Sequence, residues 1–146
     1  MTLLDNLNNI YYEIKMHLVK YAYIYAPIIG VSLGTISFYR KPIDMLFISN
    51  AINLSGILAG FLFTSLGIMI SLPDNKFTIL LKENGYMRIV YKTMAIGIVA
   101  FLISMVIGLI RFNSIVMAVF FTIGVSETFL SSYYLYRVSY YSGKSK

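Results

Sequence analysis

TMAIGIVAFLISMVIGLI, residues 93–110, runs from Lys92 to Arg111 without a charged side chain. About 20 mainly apolar residues cross the hydrocarbon core of a bilayer, and this stretch has that length and composition. After Arg111-Phe112-Asn113 a second apolar stretch begins, SIVMAVFFTIGVSETFLSSYYLY, residues 114–136, closed by Arg137 and interrupted by one acid, Glu127. Toward the N-terminus, residues 45–72 form a third, ending at Pro73-Asp74-Asn75-Lys76. A fourth, residues 21–39, lies between Lys20 and Arg40-Lys41-Pro42. The expected fold is all-α: an integral membrane bundle of four transmembrane helices in a single domain, residues 1–146.

Composition agrees. Charged residues make up 12% of the 146 and hydrophobic ones 58%, where a soluble domain carries about 25% charged residues. The chain has no cysteine, which excludes a disulfide framework and a thiolate metal site. His17 is the single histidine and cannot build a metal site by itself. No nucleophile–base–orienter set, phosphate loop or paired carboxylates occur, so neither an enzyme nor a cofactor is expected. Residues 1–9 hold Asp5 and no basic n-region, so no signal peptide is expected.

The net charge of +6 reads as orientation and lipid attraction, with no nucleic acid implied. Lys15, Lys20, Lys76, Lys82, Arg88, Lys92, Arg137, Lys144 and Lys146 fall on one side of four crossings, and Arg40, Lys41 and Arg111 on the other. The richer side is cytoplasmic by the positive-inside rule, which puts both termini in the cytoplasm, with residues 137–146 as a tail. Two further stretches are amphipathic. Leu3, Leu4, Leu7, Ile10, Tyr11, Ile14 and Leu18 recur at helical spacing and predict an N-terminal amphipathic helix over residues 1–20. Phe77, Leu80, Leu81, Met87, Val90 and Tyr91 predict a short cytoplasmic interfacial helix, broken at Asn84-Gly85. Lys76, Lys82, Arg88 and Lys92 would meet anionic lipid or a cytoplasmic partner there. Asp74-Asn75 reads as its N-cap. Tyr21, Tyr23, Tyr25, Tyr39, Tyr91, Tyr133, Tyr134 and Tyr136 lie near span ends and read as an aromatic belt.

Two features suggest more than location. In residues 45–72, Asn50, Asn53, Gly56, Gly60, Thr64, Gly67 and Ser71 follow at three- or four-residue steps and share one stripe. Small residues let helices approach closely, and Gly56-x-x-x-Gly60 is such a pattern. The stripe suits a packing face inside the monomer, or a face lining a pore or cavity. Glu127 is the second. A carboxylate at mid-membrane costs roughly 2.5–3.5 kcal/mol, so it faces protein or water. It reads either as a neutral, hydrogen-bonded acid that supports assembly, or as part of a carboxylate ring or proton relay. Thr64 or Gly60 is its expected level partner.

The block Ala51-Ile-Asn-Leu-Ser-Gly-Ile-Leu-Ala-Gly-Phe-Leu62, with Leu72-Pro-Asp-Asn-Lys76 and Lys82-Glu-Asn-Gly-Tyr86, resembles a group of small, little-characterised bacterial multi-span membrane proteins. Some of these are encoded with anti-phage defence systems. The resemblance implies a bacterial inner-membrane protein acting through assembly, and it transfers no catalytic residue. The expected function is a small homo-oligomeric membrane effector, channel-like, that alters membrane permeability in anti-phage defence. Its rival is a non-conducting anchor or sensor that recruits a cytoplasmic protein through the basic loop.

Because the chain lacks cysteine, each introduced thiol is unique. An impermeant reagent is expected to label Lys41→Cys and Asn113→Cys from outside the cell, and Asn84→Cys and Ser145→Cys only after the membrane is opened. External labelling at Asn84→Cys would exclude four crossings.

Overall fold

The computed structural model describes residues 21–32, 34–36, 43–72 and 76–144, with residues 76–77 and 141–144 by backbone alone. The predicted N-terminal helix over residues 1–20, the Arg40-Lys41-Pro42 loop and the Asp74-Asn75 cap lie outside these. The described residues form five helices and no strand: α1 (Tyr21–Ile36), α2 (Met45–Ile70), α3 (Lys76–Glu83), α4 (Tyr86–Ile110) and α5 (Ser114–Lys144). Three of them, α2, α4 and α5, are long and apolar enough to cross a membrane. α1 is apolar but shorter.

The helix ends follow from local chemistry. The first backbone N–H groups of a helix have no intrahelical acceptor. Asp44 accepts the Phe47 N–H at 2.8 Å and so starts α2. Asn113 does the same for α5, its Oδ1 accepting from Ile115 at 2.9 Å and Val116 at 3.2 Å. The predicted break is present: Gly85 has φ +69°, a left-handed conformation that costs a glycine little, and it separates α3 from α4. Arg111 takes the same conformation at φ 54° to end α4.

Two boundaries differ from expectation. α4 begins at Tyr86, seven residues before residue 93, and α5 continues to Lys144 rather than stopping at 136. At about 1.5 Å per residue, α5 outreaches a hydrocarbon core of about 30 Å. No proline lies beyond Tyr136 to stop the helix, and Val138 belongs to the buried core. Met87 and Val90, expected on an interfacial stripe, are instead buried in the core with Leu62, Met69, Met94, Phe101 and Tyr134. The early start of α4 carries them inward. Tyr134 leaves the expected belt as well, packing edge-on against Tyr86 at 5.5 Å between centroids. The Tyr91 hydroxyl donates to the Met69 carbonyl at 3.2 Å, satisfying one of the free carbonyls at the end of α2.

α4 is central, packed against α2, α3 and α5. Its glycines let the neighbours in. A Cβ at Gly97 would lie 2.7 Å from Leu62 Cδ1 and 3.2 Å from Glu127 Cβ; one at Gly108 would lie 2.8 Å from Ile52 Cγ1 and 2.9 Å from Met117 Sδ. From the other side, Gly124 of α5 accepts the Phe101 ring, 2.6 Å from where its Cβ would be. The Ser104 hydroxyl adds a buried hydrogen bond across to the Met117 carbonyl at 3.1 Å. α1 joins α5 in the same manner, Gly30 against Ser126 and Gly34 against Thr122. Gly30-x-x-x-Gly34 facing Thr122-x-x-x-Ser126 is therefore a small-residue pairing in use within the chain.

By contrast, Gly60 meets nothing within 4 Å. Gly97→Leu is expected to destabilise the bundle by about 1–3 kcal/mol through overpacking, read as a shift in detergent-induced unfolding of the monomer. Gly60→Leu should leave that transition unmoved. Equal effects would mean that the closest approach lies elsewhere.

Candidate functional site

The polar stripe of α2 points away from its own bundle. Asn50, Asn53, Gly60, Thr64, Gly67 and Ser71 are exposed, and Gly56 is half-buried, in ordinary contact with Met105 at 3.6 Å. The face that packs is the opposite one: Ala51, Ser55, Ala59, Leu62, Ser65 and Met69. The reading of the stripe as a packing face inside the monomer is thus corrected. Ala51, Ser55 and Ala59 are also small residues at four-residue steps, and they approach α4 without the cost of burying two asparagine amides. That second small-residue series is equally visible in the sequence, at the same spacing as the polar stripe.

The exposed groups differ in their needs. Thr64 Oγ1 donates to the Gly60 carbonyl at 2.9 Å, and Ser71 Oγ to Ile68 at 3.0 Å, so both hydroxyls are satisfied within the helix. An asparagine amide has two donors and an acceptor, more than the adjoining helical backbone can satisfy. Leu54, Ile57, Phe61 and Phe63 on the same helix are exposed apolar groups. Asn50 and Asn53 therefore share the outward surface of α2 with side chains suited to lipid.

Glu127 lies on the other side of the molecule's polar inventory, inside the bundle. It is the midpoint of the apolar segment Ser114–Tyr140 of α5 and is 0% exposed. Its Cβ and the Leu62 methyl converge on Gly97, so the partner at its level is α4 and not the expected Thr64 or Gly60, which are exposed. Neither carboxyl oxygen has a hydrogen-bond partner among the described residues. Ser131, one turn on along the same face, is also 0% exposed, and its hydroxyl has no partner there. Ser55, on α2, is a third residue with a buried oxygen of this kind. Stripe and acid thus form two separate sites rather than one.

Of the basic residues, Lys82, Arg88 and Lys92 are exposed, and the Lys92 ammonium lies 5.4 Å from the centre of the Tyr23 ring, linking α4 to α1. Lys76 opens α3. Among the described residues no group of three or more His, Cys, Asp or Glu side chains could hold a metal ion. A comparison of the chain with protein-family models, curated proteins and solved structures finds no match.

A buried carboxyl without a partner opposes folding, since an unsatisfied buried polar group costs about 1–3 kcal/mol. Glu127→Leu is expected to raise the unfolding free energy of the isolated bundle by about that amount, whereas Glu127→Gln keeps the polar burden and stays near wild type. Unfolding titrations in detergent check both. A large loss of stability in Glu127→Leu would reveal a partner for the carboxyl.

Proposed function

We propose that the protein is a homo-oligomeric membrane protein whose subunits meet through the outward face of α2, forming a channel-like assembly that alters membrane permeability. The supporting observation is the exposure of Asn50 and Asn53 on a helix long and apolar enough to span. Each unsatisfied polar group in hydrocarbon costs several kcal/mol. Water in a pore, or amides from a second copy, would remove that cost. Gly60 and Gly67, with open space beside them, leave a shallow track for a neighbouring helix.

In this reading α1 completes a fourth crossing, both termini are cytoplasmic, and Lys82, Arg88 and Lys92 meet anionic headgroups. The resemblance of residues 51–62, 72–76 and 82–86 supports a bacterial inner-membrane setting and a role in anti-phage defence. Glu127 takes no part in the axial face, because it lies within the bundle.

The test uses Thr64→Cys and Asn53→Leu in reconstituted liposomes. Thr64→Cys should cross-link between copies and react with an impermeant thiol reagent. Asn53→Leu should reduce ion flux to the level of protein-free liposomes. A thiol at position 64 that neither cross-links nor reacts would place this face against lipid and end the proposal. Cross-linking with no reagent access and no flux would favour the non-conducting anchor.

A further inference from the structure

The permeability reading leaves Glu127 unused, yet it is the most costly side chain in the bundle. Two buried polar side chains lie one turn apart on α5: Glu127, with two carboxyl oxygens, and Ser131, with a hydroxyl. Residues four apart on a helix are neighbours. Both side chains are 0% exposed and none of the three atoms has a hydrogen-bond partner among the described residues. Two buried polar groups one turn apart, both without a hydrogen-bond partner, are rare in folded proteins and call for a physical reason.

The chemistry of the donors limits what relieves them. The set is all oxygen with a single potential negative charge. Calcium takes six to eight oxygens and magnesium demands octahedral coordination, usually with more than one carboxylate or a phosphate. Softer metals need nitrogen or sulfur. One positive charge neutralises the site.

Among the described residues no basic side chain is buried. Leu62 approaches from α2 and Gly97 from α4. The titratable neighbour along α5 is Tyr134, which interacts electrostatically with Glu127, and Tyr86 of α4 touches the Tyr134 ring. On α4, Arg88 and Lys92 are exposed; on α3, so are Lys82 and Glu83. α1 brings Tyr21 and Tyr23, both half-buried, and Tyr25, which is exposed. Arg137 of α5 stacks over Tyr133, 6.0 Å from the ring centre.

We infer that Glu127 and Ser131 form a binding site for one proton in the middle of the bundle. With the proton bound, the acid O–H has the Ser131 oxygen within one helical turn, and the core is electrically neutral. Without it, a bare carboxylate stands where three helices converge on Gly97, and the Ser131 hydroxyl becomes its nearest donor. Water must then reach the site. Occupancy is thereby coupled to the contact of α4 with α5.

Infrared difference spectra of the full chain in liposomes, wild type minus Glu127→Gln, test this directly. The expected result is an acid carbonyl band assigned to Glu127 that disappears reversibly as pH rises between about 5 and 10. Ser131→Ala should displace the pH at which it disappears. No acid band at any pH would show a permanently ionised carboxylate and overturn the inference. A band that persists throughout would overturn it too, as a sealed structural acid. An unchanged pH dependence in Ser131→Ala would remove Ser131 from the site.

Discussion

Close contact at glycine is the constraint on which this bundle depends. Inside a bilayer, apolar side chains gain little by leaving lipid for one another, so helices are held by packing and by the few polar bonds they share. Gly97, Gly108 and Gly124 give α4 that contact on both sides: Leu62 and Ile52 enter from α2, and α5 draws near enough for Phe101 to lie over Gly124. α4 is thereby the element that α2, α3 and α5 have in common. The Ser104–Met117 hydrogen bond is added toward the Arg111 end of the same seam.

That seam has a consequence for charge. Because Gly97 carries no side chain, the Glu127 stem lies against α4 and its carboxyl is closed off from solvent. A bulkier residue at position 97 would have pushed α5 away and left room for water. The tight joint and the buried acid are therefore one arrangement, in which packing energy is set against the cost of an unsatisfied polar group. Function often resides where such a conflict persists.

The outward face of α2 carries a different kind of cost. Asn50 and Asn53 are exposed on a helix long and apolar enough to cross a membrane, so anything that satisfied their amides would do so without disturbing the core. Glu127 can be relieved only from within. The two polar sites are therefore separate, one on the outward surface of α2 and one inside the bundle.

The sequence by itself determined three long apolar helices, the break at Asn84-Gly85 and the exceptional standing of Glu127. Hydropathy, turn chemistry and the cost of a charge in lipid are local properties, readable from neighbouring residues. The Asp44 and Asn113 caps are local in the same sense, each needing only the three residues that follow it. The direction in which α2 faces was decided only by the tertiary structure. Asn50–Ser71 and Ala51–Met69 are both rows at helical spacing, and a membrane helix with small residues on two sides has no single apolar face that would choose between them. The choice fell to fit: Ala51, Ser55 and Ala59 admit α4 without burying an amide. For the same reason Glu127 found Gly97 as its neighbour and not Thr64, since which residues meet depends on the register between helices, a relation no single segment contains.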